Sequence, residues 1–172
     1  MKEDIIQYVR TCKTCQKRKR RHGEAPLEPI QKTPQPFYQI GIDIMGPLPV
    51  TRTGKRYIVV AIDHFTKWVS ARALETADAQ SIADFLITDI IYCHGVPTIM
   101  TSDQGTEFVN ELIQAVSDVQ GFHHIKTTTY HPQGNGQTEH ANRYIKDVLA
   151  TTKKGEDWSI NLSSAIYILH MT

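Results

Sequence analysis

The spacing of apolar residues changes period near residue 75, and that change does most to limit the folds open to this chain. Before residue 75 the period is that of strands. "YQIGIDIMG" (38–46) alternates Ile40, Ile42 and Ile44 with Gly41, Asp43 and Met45, and residues two apart share one face of a strand. "YIVVAID" (57–63) is a continuous run rich in β-branched residues, as in a strand covered on both faces. "WVSARAL" (68–74) follows after a short turn, so these runs predict an antiparallel meander of three strands. From Thr76 to His94 the period is helical, through Ile82, Phe85, Leu86, Ile90 and Cys93, and Gly95 and Pro97 stop it. A strand at 98–102, a helix at 106–120 closed by Gly121, a strand at 122–128, and helices near 137–152 and 158–170 complete the pattern.

Three antiparallel strands followed by helix, strand, helix, strand, helix, helix predict an α/β domain. Its mixed five-stranded sheet carries helices on its faces. The 172 residues suit one domain with a short appendage. Residues 22–37 belong to a segment, 22–38, that holds four prolines and reads as an extended linker, so the compact domain is expected over 38–172. No run of about 18 apolar residues suggests a membrane span. "MKEDIIQYVR" lacks the apolar centre of a secretory signal.

The net charge of +1 conceals a basic block. Residues 10–21 hold seven cations, Arg10, Lys13, Lys17, Arg18, Lys19, Arg20 and Arg21, and no acid. Such density points to a polyanion partner or a nuclear address; the plainer reading is a solvated linker. Cys12 and Cys15 sit in the same segment. Three cysteines do not make a disulfide framework and fit a reducing compartment. A lone Cys-x-x-Cys supplies half of a structural zinc site, which needs four ligands. His22 and Cys93 are poorly placed to complete it.

Three carboxylates are unusually placed. Asp43 interrupts an apolar strand, where an unpaired carboxylate is costly and calls for a cation or a hydrogen-bond donor. Asp103 lies just past its strand, at the carboxyl edge where open α/β sheets place ligands. Glu139 falls in the first turn of a helix, where orphan amides favour negative charge. At about 100° per residue, Glu139, Asn142, Arg143 and Lys146 share one face, opposite Ala141, Tyr144, Ile145, Val148 and Leu149. By itself this face also fits a surface pair between Glu139 and Arg143. Asp63, at another strand end, competes with Asp43; it also fits a plain strand-end turn. Glu107 fits a helix N-terminal acid.

In "GIDIMGPLP", "VVAIDHFTKWV", "TSDQGTEF" and "HPQGNGQTEHANR" the chain resembles the catalytic core of retroviral and LTR-retrotransposon integrases, nearest the gypsy class. The resemblance extends over roughly residues 1 to 170. It implies a ribonuclease-H-like fold and a metal-binding catalytic triad of Asp43, Asp103 and Glu139, the last two separated by 35 residues. It further implies two Mg²⁺ or Mn²⁺ ions per site, 3′-end processing and strand transfer, and DNA (element ends and target) as substrate. A homo-oligomer in the intact family member and a nuclear location also follow from it.

By the same resemblance Cys12 and Cys15 are the remnant of a His-His-Cys-Cys zinc site within residues 1–21, taking Zn²⁺ only if the missing histidines are supplied. The core is expected to end before its last helix. Tyr130, His131 and Gln133 would touch the strand being cut, from a loop that Gly134 and Gly136 make mobile; a plain helix entry is the alternative. Asn142, Arg143, Lys146 and the run Lys17, Arg18, Lys19, Arg20 and Arg21 would bind DNA. His140 stands where the family often has arginine, which weakens the DNA-facing charge. Two further readings remain: a non-catalytic, integrase-derived nucleic-acid-binding protein, and a ribonuclease H acting on RNA–DNA hybrids.

Overall fold

The structure, a computed structural model, describes residues 3, 33–105, 108, 110–126, 136–150 and 157–171, and of 136, 137, 139 and 150 the backbone alone. Residues 1–11, apart from residue 3, lie outside the described residues. So do Cys12, Cys15, Lys17–Arg21 and most of the proline-rich linker.

Among the described residues the strands are β1 (Gln39–Met45), β2 (Tyr57–Asp63), β3 (Val69–Leu74), β4 (Ile99–Ser102) and β5 (His123–Lys126). They form one sheet in the order β3-β2-β1-β4-β5. β1–β2 and β2–β3 are antiparallel; β1–β4 and β4–β5 are parallel. This is the mixed five-stranded sheet that the change of period predicts.

The alternation in β1 sorts two cores. Ile40 and Ile42, fully buried, join Val59, Ala61 and Met100 on one face, beneath α1 (Ala79–Phe85) and α2 (Glu111–Gln120). Met45, Ile58, Val60 and Ile62 lie on the other, beneath α3 (Gly136–Ala150) and α4 (Trp158–Met171). Trp158 opens α4 by donating its ring N–H to the Pro49 carbonyl at 2.6 Å, tying that helix to the loop after β1. Among the described residues no helix is long and apolar enough to cross a membrane.

Two helices differ from expectation. The segment after Thr76 begins at Ala79, capped by the Asp78 side chain on the Ser81 N–H. It then passes through a π-helical stretch, Leu86–Ile91, into a last α-turn, Tyr92–His94. Apolar spacing separates helix from strand but not an α-turn from a π-turn. α2 starts at Glu111, not at 106. Asn110 is extended, with φ −144°, and its side chain accepts the Ile113 N–H at 2.9 Å. A short side chain that satisfies an orphan amide terminates a helix where apolar period alone would extend it. At the other end Gly121 takes φ 80°, and its N–H reaches the Ser117 carbonyl. That left-handed cap favours glycine.

Candidate functional site

β1 and β4 run parallel, pairing Gln39 with Ile99, Ile40 with Met100 and Gly41 with Thr101. Two residues further along each chain stand Asp43 and Asp103. The common offset therefore carries both acids to the same end of two neighbouring strands. Asp43 shares its face with Val60, its partner on β2, and so lies toward α3.

The electrostatics agree with that placement. Half-buried Asp43 has its pKa raised above the ordinary carboxylate value, first by loss of solvent and then by the charge of Asp103. Opposing this are the Ile44 N–H, which donates to Oδ1 at 2.8 Å, and the Asn142 amide, which donates to Oδ2 at 2.5 Å; the Lys146 charge adds to them. Two carboxylates that repel each other, partly withdrawn from water, form a site whose unmet need is positive charge.

Asp103 is exposed and lies beyond the end of β4. Its Oδ1 accepts the Gly105 N–H at 3.0 Å, which turns the chain sharply. Its carbonyl accepts from the buried Ser102 hydroxyl at 2.8 Å, and that hydroxyl also meets His124 Nε2 on β5 at 2.8 Å. With the Ser102 proton committed to the carbonyl, the imidazole is the donor in the second bond. Ser102 and His124 thus brace the peptide that carries Asp103. In the sequence, the only signal of either role is a serine directly before the acid.

Glu139 is described through its backbone alone, at the end of the first turn of α3. Its neighbours fix that turn. Thr138 is fully buried, and Asn142, 6% exposed, holds Asp43. Asn142, expected among the DNA-facing side chains, is buried and gives its amide to Asp43. It sits at the edge of the apolar stripe, and a helical wheel cannot tell which side of that edge finds a partner. Arg143 and Lys146 are exposed on the same helix.

Asp63 plays a different part. It is buried on the opposite face from Asp43 and pairs with Ile40. Oδ1 accepts the N–H groups of Phe37 and Phe65 at 3.0 and 3.3 Å; Oδ2 accepts the N–H and hydroxyl of Thr66 at 2.8 and 2.6 Å. Four donors bind this carboxylate to the turn after β2 and to the start of the domain. It is a structural acid, in keeping with the strand-end turn.

Tyr130, His131 and Gln133 lie outside the described residues, as does Glu107. Among the described residues no group of three or more His, Cys, Asp or Glu side chains is arranged to hold a metal ion. Asp43 and Asp103 supply hard oxygen donors of the kind Mg²⁺ and Mn²⁺ prefer, and Asp43 is under-compensated where it stands. That donor set fits a divalent cation.

Residues 33–132 match the family described as Integrase core domain. The whole chain aligns at 29% identity with the retrovirus-related Pol polyprotein from transposon 412 of Drosophila melanogaster, spanning 14% of it. Over 118 residues, 67% of the chain, it is 34% identical to the Gag-Pol polyprotein of Koala retrovirus, spanning 7% of that protein. In three dimensions it resembles a chain of the simian T-cell lymphotropic virus intasome, solved in complex with PP2A regulatory subunit B56 gamma. The TM-score is 0.72 at 19% identity, covering 97% of this chain and 60% of that one.

Proposed function

This chain belongs to the integrase core domain family, and from that premise we propose that it is the catalytic core of a retroelement polynucleotidyl transferase. Its substrate in this reading is DNA, both the element's ends and the target. The observation that carries the proposal is the approach of Asp43 and Asp103 at one end of the parallel pair, with Asp43 held above its ordinary pKa partly by Asp103.

Asp43, Asp103 and Glu139 would hold two divalent cations; when bound, these supply activation of an attacking oxygen and neutralisation of the charge that develops on the leaving oxygen. The chain's own residues set the stage. Asn142 orients the Asp43 carboxylate. Gly105 orients Asp103 through its N–H, and the Ser102–His124 pair holds the adjoining carbonyl. Lys146, whose charge already reaches Asp43, would steady a phosphate beside the acids, with Arg143 one turn earlier. Tyr130 and Gln133 would contact the strand being cut, and Lys17–Arg21 would add sequence-independent affinity. Attack by water would serve 3′-end processing; attack by a DNA 3′-hydroxyl would serve strand transfer. Work on chromosomal DNA would place the protein in the nucleus, as a homo-oligomer in the intact family member. Zn²⁺ would bind Cys12 and Cys15 only with two further ligands supplied.

The test is a disintegration assay on branched DNA with Mg²⁺ or Mn²⁺, run beside an RNA–DNA hybrid. Metal-dependent resealing of the branched DNA that is lost in Asp103→Asn is the expected result. Cleavage confined to the hybrid would instead make the chain a ribonuclease H. Binding of DNA without either reaction would make it a non-catalytic nucleic-acid-binding protein.

A further inference from the structure

Among the described residues, three buried polar atoms have no hydrogen-bond partner: His64 Nε2, Thr138 Oγ1 and Asn142 Oδ1. They belong to one place. A Cβ built on Gly41 would stand 2.5 Å from Thr138 Oγ1 and 2.8 Å from His64 Nε2, so hydroxyl and imidazole meet β1 at the same residue. Only a residue without a side chain permits that approach. Thr138 and Asn142 are four apart on α3 and so share a face of the helix; Asn142 carries the contact onward to Asp43. Glu139 follows Thr138 directly.

We propose that Gly41, His64 and Thr138 form a seat fixing the first turn of α3 on β1, and that His64 and Thr138 are positioning residues for the acids beside it. The bond proposed for the seated state, absent between the two atoms as they stand, is donation from the Thr138 hydroxyl to His64 Nε2. The chemistry of the pair is matched. Burial, helped by the Lys67 charge, holds the His64 ring below its ordinary pKa against the opposing pull of Asp63, so the ring is neutral and offers a lone pair. An apolar lining would fill the same space without unpaired atoms. Gly41 is the signal in the sequence, a lone glycine within a strand, where another part of the chain comes close. The kinetic consequence of the seat rests on the transferase reading above; the seat itself does not.

The test compares Thr138→Val, which keeps the shape and removes the hydroxyl, with Thr138→Ser, which keeps the hydroxyl. His64→Leu and His64→Gln form a second pair for the imidazole. Amide hydrogen exchange over residues 137–142 reads the seat, Mn²⁺ binding by calorimetry reads the acids, and disintegration kinetics read the reaction. Thr138→Val and His64→Leu should speed exchange about tenfold. They should weaken Mn²⁺ binding and lower kcat about tenfold at unchanged KM for DNA. Thr138→Ser and His64→Gln should return all three readings to within about twofold of the parent protein. Unchanged exchange in Thr138→Val, or equal loss in Thr138→Ser, would overturn the seat. Faster exchange with unchanged Mn²⁺ binding and kcat would overturn the positioning role. A parent protein without turnover would count against the transferase reading alone, because the exchange contrast still decides the seat.

Discussion

Asp43 and Asp103 each stand two residues beyond Gly41 and Thr101, the last pair in the register of β1 with β4. One shared offset between parallel strands brings together two acids that lie far apart in the chain. The charge of Asp103 raises the cost of ionising Asp43, a cost that a cation placed between them would relieve.

Asp103→Asn therefore removes a repelling charge as well as a candidate metal ligand. The variant should fold, and in the absence of metal its Tm should equal or exceed that of the parent protein. It should lose Mg²⁺-dependent cleavage and joining of DNA. Melting curves with and without Mg²⁺, set beside the disintegration assay, check both parts. Undiminished turnover in the purified variant would rule out the assigned role of Asp103.

Asp63 predicts the opposite pattern. Asp63→Ala strips four donors of their acceptor at the turn after β2. The loss should cost about 3 kcal/mol of stability, since buried donors left unpaired are expensive. Mn²⁺ affinity of the protein that remains folded should not change. A urea titration and calorimetry separate the two effects, and weakened Mn²⁺ binding at full stability would return Asp63 to the candidate metal ligands.

Much of this division was legible in the sequence. Alternation in 38–46 placed Asp43 on the face away from Ile40 and Ile42, and the switch to helical period fixed the order of elements. What escaped the sequence depends on pairings between segments far apart. Asn142 reads as polar surface until Asp43 is seen across from it. His64 reads as a turn residue until α3 covers it. Ser102 and His124 meet only because β4 and β5 run side by side. Asn110 and the π-turn are local, yet apolar period does not register caps or the kind of helix.

Acid should weaken the fold through its histidines. His64, His94 and His124 all have pKa values lowered by loss of solvent. The unfolded chain then binds more protons than the folded one between their ordinary value of 6.5 and their lowered values. Stability is fully present above that window and falls as pH drops through it. Asp43, raised, acts in the opposite sense: its contribution grows as pH falls from its raised value toward 3.8. Denaturant midpoints measured from pH 7.5 to 5 should decline, and His124→Gln should flatten the decline. A midpoint that rises on acidification would contradict the burial of these rings.

The basic groups divide by location, and their variants should divide by effect. Lys17–Arg21 form a run set before the domain, whereas Lys146 sits on α3 with its charge felt at Asp43. Neutralising residues 17–21 should weaken DNA binding and flatten its dependence on salt, by about 0.9 in log–log slope for each phosphate no longer neutralised. Lys146→Ala should change the slope by no more than the share of a single phosphate. Its larger effect should be on rate, because a phosphate held out of line forfeits the advantage of orientation. Binding across a salt series, with strand transfer at saturating DNA, distinguishes the two. If full rate returns at saturation in Lys146→Ala, the lysine contributes only attraction, and the α3 face is another basic surface.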